Sequence, residues 1–192
     1  MNIQKPRLDE ILEPFERVCA AELCVHNYNP RLGAHITKSR HSHTNPCCAA
    51  VKKAVGESTC IAFDRDALIK HMRQHPGPFL KRCHAGVVEC VIPIHEGRNV
   101  AGVLFIGAFR SSSEAHFDES ALVAEEIQPK GSERQKLLEL LPEVDEVRLA
   151  DLLEIGKTLA CRLETAFLGP NVDQTEEKHK IIQDVERFFR LN

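Results

Sequence analysis

The feature that most constrains this chain is a pair of apolar segments joined by a short polar turn. Apolar side chains alternate with mixed ones over residues 88–95, which is typical of a β-strand that lies in a sheet. The alternating sets are Val88, Cys90, Ile92 and Ile94 on one side and Glu89, Val91, Pro93 and His95 on the other. Residues 96–99 are polar, and residues 100–109 are almost entirely apolar. The sequence therefore predicts a β-hairpin whose second strand is central in a sheet.

Two glycines, Gly102 and Gly107, interrupt the second strand of this hairpin. Glycine weakens a strand, and it is usually found where a ligand or another backbone must come close. A tight contact between the sheet and a helix explains such glycines equally well, so both interpretations stay open. Cys83 and His84 come just before the first strand, at the expected mouth of whatever the sheet encloses. We take Cys83, His84, Gly102 and Gly107 as candidate ligand-binding residues.

The composition is that of a globular protein with one core. The chain has 192 residues, of which 43% are hydrophobic, and this suits one domain with appendages. A formal net charge of −3 argues against nucleic-acid binding by this segment alone, and the absence of Trp and a single Tyr argue against a base-stacking platform. The apolar runs are only strand-length, and the N-terminus lacks a signal core. We therefore expect a cytoplasmic protein without a membrane partner.

Helical and alternating periods place further elements on both sides of the hairpin. Before it, we predict a helix over 7–22, a strand over 23–28 with a hairpin partner over 34–38, a helix over 47–55, a connection that carries Cys60, and a helix that Asp64 caps. After it, the pattern predicts helices only, over 118–126, 133–141, 145–168 and from residue 173. The order predicts an α/β (α+β) fold, an antiparallel sheet of about five strands with helices largely on one face.

The chain has eight cysteines, and four of them fall between residues 47 and 83. Because the cytosol keeps thiols reduced, a disulfide framework is not expected. Cys47, Cys48, Cys60 and Cys83 are accompanied by His41, His43 and His84. Thiolates and imidazoles bind zinc, and thiolates bind iron–sulfur clusters, but no C-x2-C pair is present. Metal binding, reactive thiols and plain burial stay open for this group, whereas burial is expected for Cys19, Cys24, Cys90 and Cys161.

Signatures of common enzymes are missing from the sequence. No P-loop, G-x-G-x-x-G or G-x-S-x-G motif is present. The zinc-deaminase pattern fails, because no Glu follows His84 by two residues and no spaced P-C-x-x-C comes later. Cys83 and His84 would point to opposite faces of a strand, which disfavours a thiol paired with its base. We therefore expect a binding domain and not an enzyme.

A set of short motifs resembles the PocR-type sensory domain over about residues 7–168. The motifs are Asn45-Pro46-Cys47-Cys48, Cys60, Cys83-His84-Ala85-Gly86-Val87, Pro93-Ile94 and Gly102-Val103-Leu104-Phe105-Ile106-Gly107. The resemblance implies a PAS-like ligand-binding domain, of the kind that precedes AraC-type helix-turn-helix regions or forms part of signalling kinases. Ala108 stands where the family has Gln, so an amide contact to a ligand is not expected there.

The resemblance also implies a metal ligand set and an output region. The family's three cysteines match Cys48, Cys60 and Cys83, with Cys47 competing for the first place. His84, Cys47, His43 or an exogenous group would complete the coordination of zinc or of an iron–sulfur cluster. Residues 180–192 resemble the helix that opens an AraC-type DNA-binding region, so residues 169–192 would lead to a helix-turn-helix outside this chain. Helix 145–168 and the final helix are expected to form a homodimer.

Two classes of function therefore stay open. The first is a sensor of a small molecule, or of redox state, in a bacterial transcriptional regulator. The second is a metal-dependent enzyme that uses the same cluster and a bound water. An enzyme would need a carboxylate near the metal, and Glu89 is the only candidate close in sequence, on the strand face opposite Cys90. The sequence favours the sensor.

Overall fold

The computed structural model describes residues 7–111, 117, 120–124 and 131–169. The predicted last helix, from residue 173, and the linker after residue 169 lie outside the described residues. The helices are α1 Leu8–Cys19, α2 Pro30–Gly33, α3 Pro46–Val55, α4 Glu57–Ile61, α5 Leu68–Gln74, α6 Gly131–Leu138 and α7 Glu146–Leu163. A 3-10 turn spans Lys38–Arg40, and π-helical turns span Ala62–Ala67 and Glu164–Leu168. The strands are β1 Glu22–Asn27, β2 Phe79–Arg82, β3 Val88–Glu96, β4 Asn99–Ser111, β5 Leu122–Val123 and β6 Glu143–Val144.

The predicted hairpin, β3 and β4, forms the centre of the sheet. The strand order is β1-β4-β3-β2-β5, and β6 pairs with the far end of β4. The four longer strands pair antiparallel, whereas the two-residue strands β5 and β6 pair parallel to β2 and β4. Gly97 makes the turn between β3 and β4 with a φ of 63°, a conformation that glycine adopts without strain. The mixed α/β fold predicted from the sequence is confirmed, and it agrees with a PAS-like arrangement.

Helices cover both faces of this sheet, so the prediction that they lie largely on one face is wrong. The side chains of β3 from Val88 to Ile94 are buried on both faces of the sheet. The face with Glu89 and Val91 is therefore covered by other elements, as is the face with Cys90. Helices α1 and α7 cover the Cys90 side, which is wholly apolar. Helix α5 packs Leu68 and Met72 on the other side. The sheet is therefore the middle layer of three.

Several local predictions are corrected by the structure. Residues 34–38 are not the partner of β1, which pairs with β4; instead the Asn29 side chain caps helix α2, which begins at Pro30. Cys60 lies in helix α4 and not in a connection. Asp64 lies inside a π-helical turn that joins α4 to α5, so it caps no helix. Leu122 and Val123 form a strand where a helix was predicted, and strand β6 was not predicted.

The long helix predicted over 145–168 is confirmed as α7 and its terminal π-helical turn. The stripe of apolar residues along this helix packs against β3 within the same chain. Its buried members include Leu149, Leu152, Leu159 and Leu163. Gly156 lets the helix approach closely, since a Cβ there would lie 2.6 Å from two carbons of Ile92. Among the described residues, no helix is long and apolar enough to cross a membrane.

Gly102 serves a contact between the sheet and a helix. A Cβ at this position would lie 2.6 Å from Cδ2 of Leu32, in α2, and 2.7 Å from the carbonyl oxygen of His26, in β1. The second of these atoms belongs to the backbone and cannot move aside. Gly107 is placed differently, because its Cβ would lie 2.7 Å from Cγ of Glu89. The first glycine thus has a packing role, and the second makes room for a charged side chain.

Replacement of Gly102 by alanine should destabilise the fold by about 1–3 kcal/mol, because the added methyl group overpacks the contact with α2 and β1. Chemical denaturation measures the free energy of unfolding. Gly77→Ala is the matched control, since a Cβ there meets no atom within 4 Å, and it should cost nothing measurable. Equal stability of the two variants would contradict a packing role for Gly102.

Candidate functional site

A cavity of about 350 Å³ lies between one face of the sheet and the helical segment from α3 to α5. Strands β1, β2 and β3 contribute His26, Lys81 and Glu89 to its lining. Helices α3 and α4 contribute Cys48, Cys60 and Ile61. Its volume is within the range of pockets that hold small molecules. It lies on the face opposite α1 and α7.

Two buried charges form the base of the cavity. Lys81 and Glu89 are paired across β2 and β3, and their side chains are 1% and 3% exposed. The ammonium Nζ lies 2.6 Å from Oε2 of Glu89 and 2.5 Å from Oδ1 of Asp64, in the π-helical turn. Nδ1 of His43 lies 2.7 Å from the other oxygen of Glu89. A chain of four ionisable groups therefore joins the sheet to the helical wall and to the loop before α3.

These groups hold one another in charged form. Burial opposes ionisation of Glu89, but the adjacent His43 and Lys81 outweigh it and hold the pKa of this carboxyl well below its usual range. Burial likewise opposes the charge of Lys81, and Asp64 and Glu89 outweigh it, so the pKa of the ammonium is raised. Nζ of Lys81 also lies 4.4 Å from the centroid of the Phe105 ring, which attracts a cation. The charges are thus internally compensated.

The histidines of the lining keep unused hydrogen-bonding groups. Nε2 of His84 lies 3.3 Å from Sγ of Cys60, but its Nδ1 has no hydrogen-bond partner, and neither does Nε2 of His26. Burial lowers the pKa of His26 to about 4, and it also lowers the pKa of His84. Both rings are therefore neutral at pH 7, and each offers one donor and one acceptor. Both atoms are buried, so a bound molecule would reach them after a small shift of the side chains around them.

Cys48, Cys60 and Cys83 line the same cavity. Cys47 does not, because it is fully buried in a small apolar cluster with Val51 and Ala85. Burial raises the pKa of each of the three lining thiols, for Cys83 to about 12. Protonated thiols are poor nucleophiles. The three residues face one cavity without the low pKa that a reactive cysteine requires.

The zinc or iron–sulfur centre expected on these cysteines does not fit their arrangement. Ligands of one ion must have their donor atoms close together, with zinc–sulfur distances of about 2.3 Å. In the described part of the chain, Cys48, Cys60 and Cys83 do not form a group whose sulfurs, alone or with His84, lie within 4.8 Å of one another. We therefore assign no chemistry to a metal held by this set. The three residues contribute surface to a pocket.

The remaining predicted ligand residues divide into two groups. Cys83 and His84 line the cavity, beside a turn where Gly86 adopts a φ of 83°. Gly102 is packed against α2, and Gly107 acts only through its neighbour Glu89. Lys81 was not among the predicted site residues, because strand β2, which buries it opposite Glu89, was not predicted. Asp64 was not among them either, because it reaches Lys81 only through the fold.

Lys81→Met should destabilise the domain by about 3–5 kcal/mol, because it leaves Glu89 buried without its cation. Addition of Glu89→Gln to this variant should recover part of the loss, which double-mutant analysis of unfolding curves measures. Lys157→Met is the control, since Lys157 pairs with Glu154 at the surface and its loss should cost less than about 1 kcal/mol. Strict additivity of Lys81→Met and Glu89→Gln would contradict the coupling.

Comparison with known proteins identifies the family. The family model described as the sensory domain found in PocR matches residues 3–163, which is most of the chain. No curated protein and no solved structure matches. The match spans every residue that lines the cavity, from His26 to Glu89. The chain therefore belongs to the family of PocR sensory domains.

Proposed function

We propose that the domain senses a small, neutral, polar molecule that binds in the cavity beside Lys81 and Glu89. The observation that carries this proposal is the coincidence of a cavity of about 350 Å³ with a charge network that is already paired. Membership of a sensory-domain family supports a ligand-binding role. The cavity would therefore be the sensor site.

The charges of the lining argue for a neutral ligand. Two acceptors already surround Nζ of Lys81, and Nζ of Lys81 and Nδ1 of His43 already approach the two oxygens of Glu89. The ammonium of Lys52 donates to the carbonyl oxygen of His43 at 3.1 Å. Beside Lys81 and Glu89, an ionic ligand would lose its hydration and gain no unpaired counter-charge, which is costly in a buried site. A neutral molecule would instead use Nδ1 of His84 and Nε2 of His26.

The same pairing argues against the enzyme alternative. Glu89 does reach the cavity, so the carboxylate that a metal-dependent enzyme would need is in place. Both of its oxygens, however, are held by Lys81 and His43, and its pKa is lowered, which makes it a weak base. Because no metal set forms from the three cysteines, we propose sensing and not catalysis.

We further propose that the domain belongs to a cytoplasmic transcriptional regulator that acts as a homodimer. The resemblance of residues 180–192 to the start of an AraC-type DNA-binding region supports this, and DNA would be bound only by that following region. We expect helix α7 to transmit the effect of ligand binding, because Gly156 contacts Ile92 on β3, and the same strand places Glu89 in the lining of the cavity. A ligand that shifts β3 would therefore shift α7.

Thermal unfolding with size-matched panels of neutral alcohols and amides, carboxylates and amines tests the ligand class. A neutral compound at 100 times its Kd should stabilise the domain by about 2.7 kcal/mol, whereas the charged panels should not shift Tm. Ile61→Trp should abolish the shift by filling the cavity, and because Ile61 is 50% exposed the variant should fold. Leu140→Trp, at a residue that is 55% exposed and outside the lining, should keep it. Shifts with carboxylates or amines only would overturn the proposal.

Light scattering tests the homodimer. Val147 on α7 is 72% exposed, more than any other large apolar residue in the described part of the chain, so it is the first candidate for the contact. We expect a dimer for the wild type and a weakened one for Val147→Asp, because a charge in an apolar interface is costly. Leu140→Asp is the control and should leave the mass unchanged. A monomer at high micromolar concentration would count against the dimer.

A further inference from the structure

A second group of ligating side chains lies behind the wall of the cavity. Glu22 and Cys24 alternate along β1 and therefore share one face, while Leu23 and Val25 belong to the apolar core on the other. His43, in the loop before α3, packs against that face. Glu22, Cys24 and His43 each offer one possible ligand atom, and these three atoms lie within 4.8 Å of one another. No other group of three or more His, Cys, Asp or Glu residues in the described part of the chain meets this distance.

The imidazole of His43 is held as a metal-binding histidine is held. Its Nδ1 lies 2.7 Å from Oε1 of Glu89, the ring also interacts with the thiol of Cys24, and neither buried nitrogen makes a hydrogen bond of good geometry among the described residues. The residue is only 7% exposed, so no bulk water reaches that nitrogen. A carboxylate on one ring nitrogen commonly fixes the tautomer and the orientation that let the other nitrogen bind a metal. A buried imidazole between a thiol and a carboxylate, with no hydrogen bond of good geometry to either, requires an explanation.

The other two groups are compatible with the same role. Oε1 of Glu22 accepts bonds from the backbone N–H of Thr44 at 2.8 Å and from its hydroxyl at 2.7 Å, and Oε2 accepts from the Asn45 amide at 3.1 Å. These bonds orient the carboxylate and leave one acceptor position free, since its two oxygens offer about four. Cys24 is 1% exposed and in no disulfide. Its thiol would release its proton to solvent when a metal binds.

We propose that Glu22, Cys24 and His43 bind one divalent zinc ion. One carboxylate, one thiolate and one imidazole are ligands that zinc accepts, and three protein ligands leave one position for water or another donor. The ion would tie β1 to the loop before α3 and complete the packing behind His43, which also lines the cavity. This site differs from the three-cysteine set expected from the family resemblance, and it does not depend on the identity of the cavity ligand.

Titration of the metal-stripped full chain with Co²⁺ alone tests the site, because Co²⁺ takes the place of zinc and a bound thiolate adds a charge-transfer absorption band. We expect one equivalent to bind with that band, and zinc to displace it. Cys24→Ser should remove the band. Cys90→Ser is the matched control, since Cys90 is as buried as Cys24 but lies on the opposite face. Cys48→Ser, Cys60→Ser and Cys83→Ser should also keep it.

Two further variants cover the case in which Cys24→Ser does not fold. Glu22→Gln should weaken Co²⁺ binding without a change in the circular dichroism spectrum. Glu89→Gln should lower the affinity by about 10–100-fold, through loss of the group that orients His43. Absence of a thiolate band in the wild type, or its loss in the Cys48, Cys60 or Cys83 variants with retention in Cys24→Ser, would overturn the assignment. Either result would leave the thermal shifts caused by cavity ligands unaffected, so the two proposals fail separately.

Discussion

The ion pair between Lys81 and Glu89 is the interaction on which this face of the structure depends. Both groups are removed from water, which costs several kcal/mol for each, and only close pairing offsets that cost. Their pairing is compatible with a single register of β2 on β3, because a shift by one residue would turn each side chain to the opposite, apolar face. The charges then draw in His43 and Asp64, from parts of the chain that otherwise make few apolar contacts.

For this reason the two faces of the sheet differ in how closely they are packed. On the face of α1 and α7, apolar side chains interdigitate closely enough that Gly156 is needed where the helix crosses Ile92. On the other face, buried charges and their partners prevent such close packing, and a cavity remains. Stability is thus supplied mainly by one layer, and the unfilled volume that a sensor needs is kept in the other. Residues that break the usual rules of core composition cluster where the function is proposed.

The helical wall of the cavity is the least anchored part of this arrangement. Neither α4 nor the π-helical turn that follows it buries a single side chain. Asp64 reaches Lys81 from this wall, and Cys60 reaches His84. A segment with few apolar contacts has low local stability, and π-helical turns are frequent at functional sites. A wall held by polar contacts can respond by itself to what the cavity contains, whereas the apolar layer behind the sheet can move only together with the strands against which it packs.

The sequence by itself determined the hairpin of β3 and β4 and the long helix α7. Each shows a local pattern of apolar residues, alternation in a strand or a helical period in a helix, and this pattern follows from which side chains are buried. The sequence also indicated that the thiols near Cys83 face a common region and that Gly102 marks a close approach. Only the tertiary structure decided that β1 pairs with β4, that Asp64 lies against Lys81, and that His43 meets Glu22 and Cys24. Each of these contacts joins residues distant along the chain, and their geometry follows from how the layers pack. The local sequence pattern determines which face of a strand or helix a side chain occupies, and the packing of the layers determines which residues it contacts.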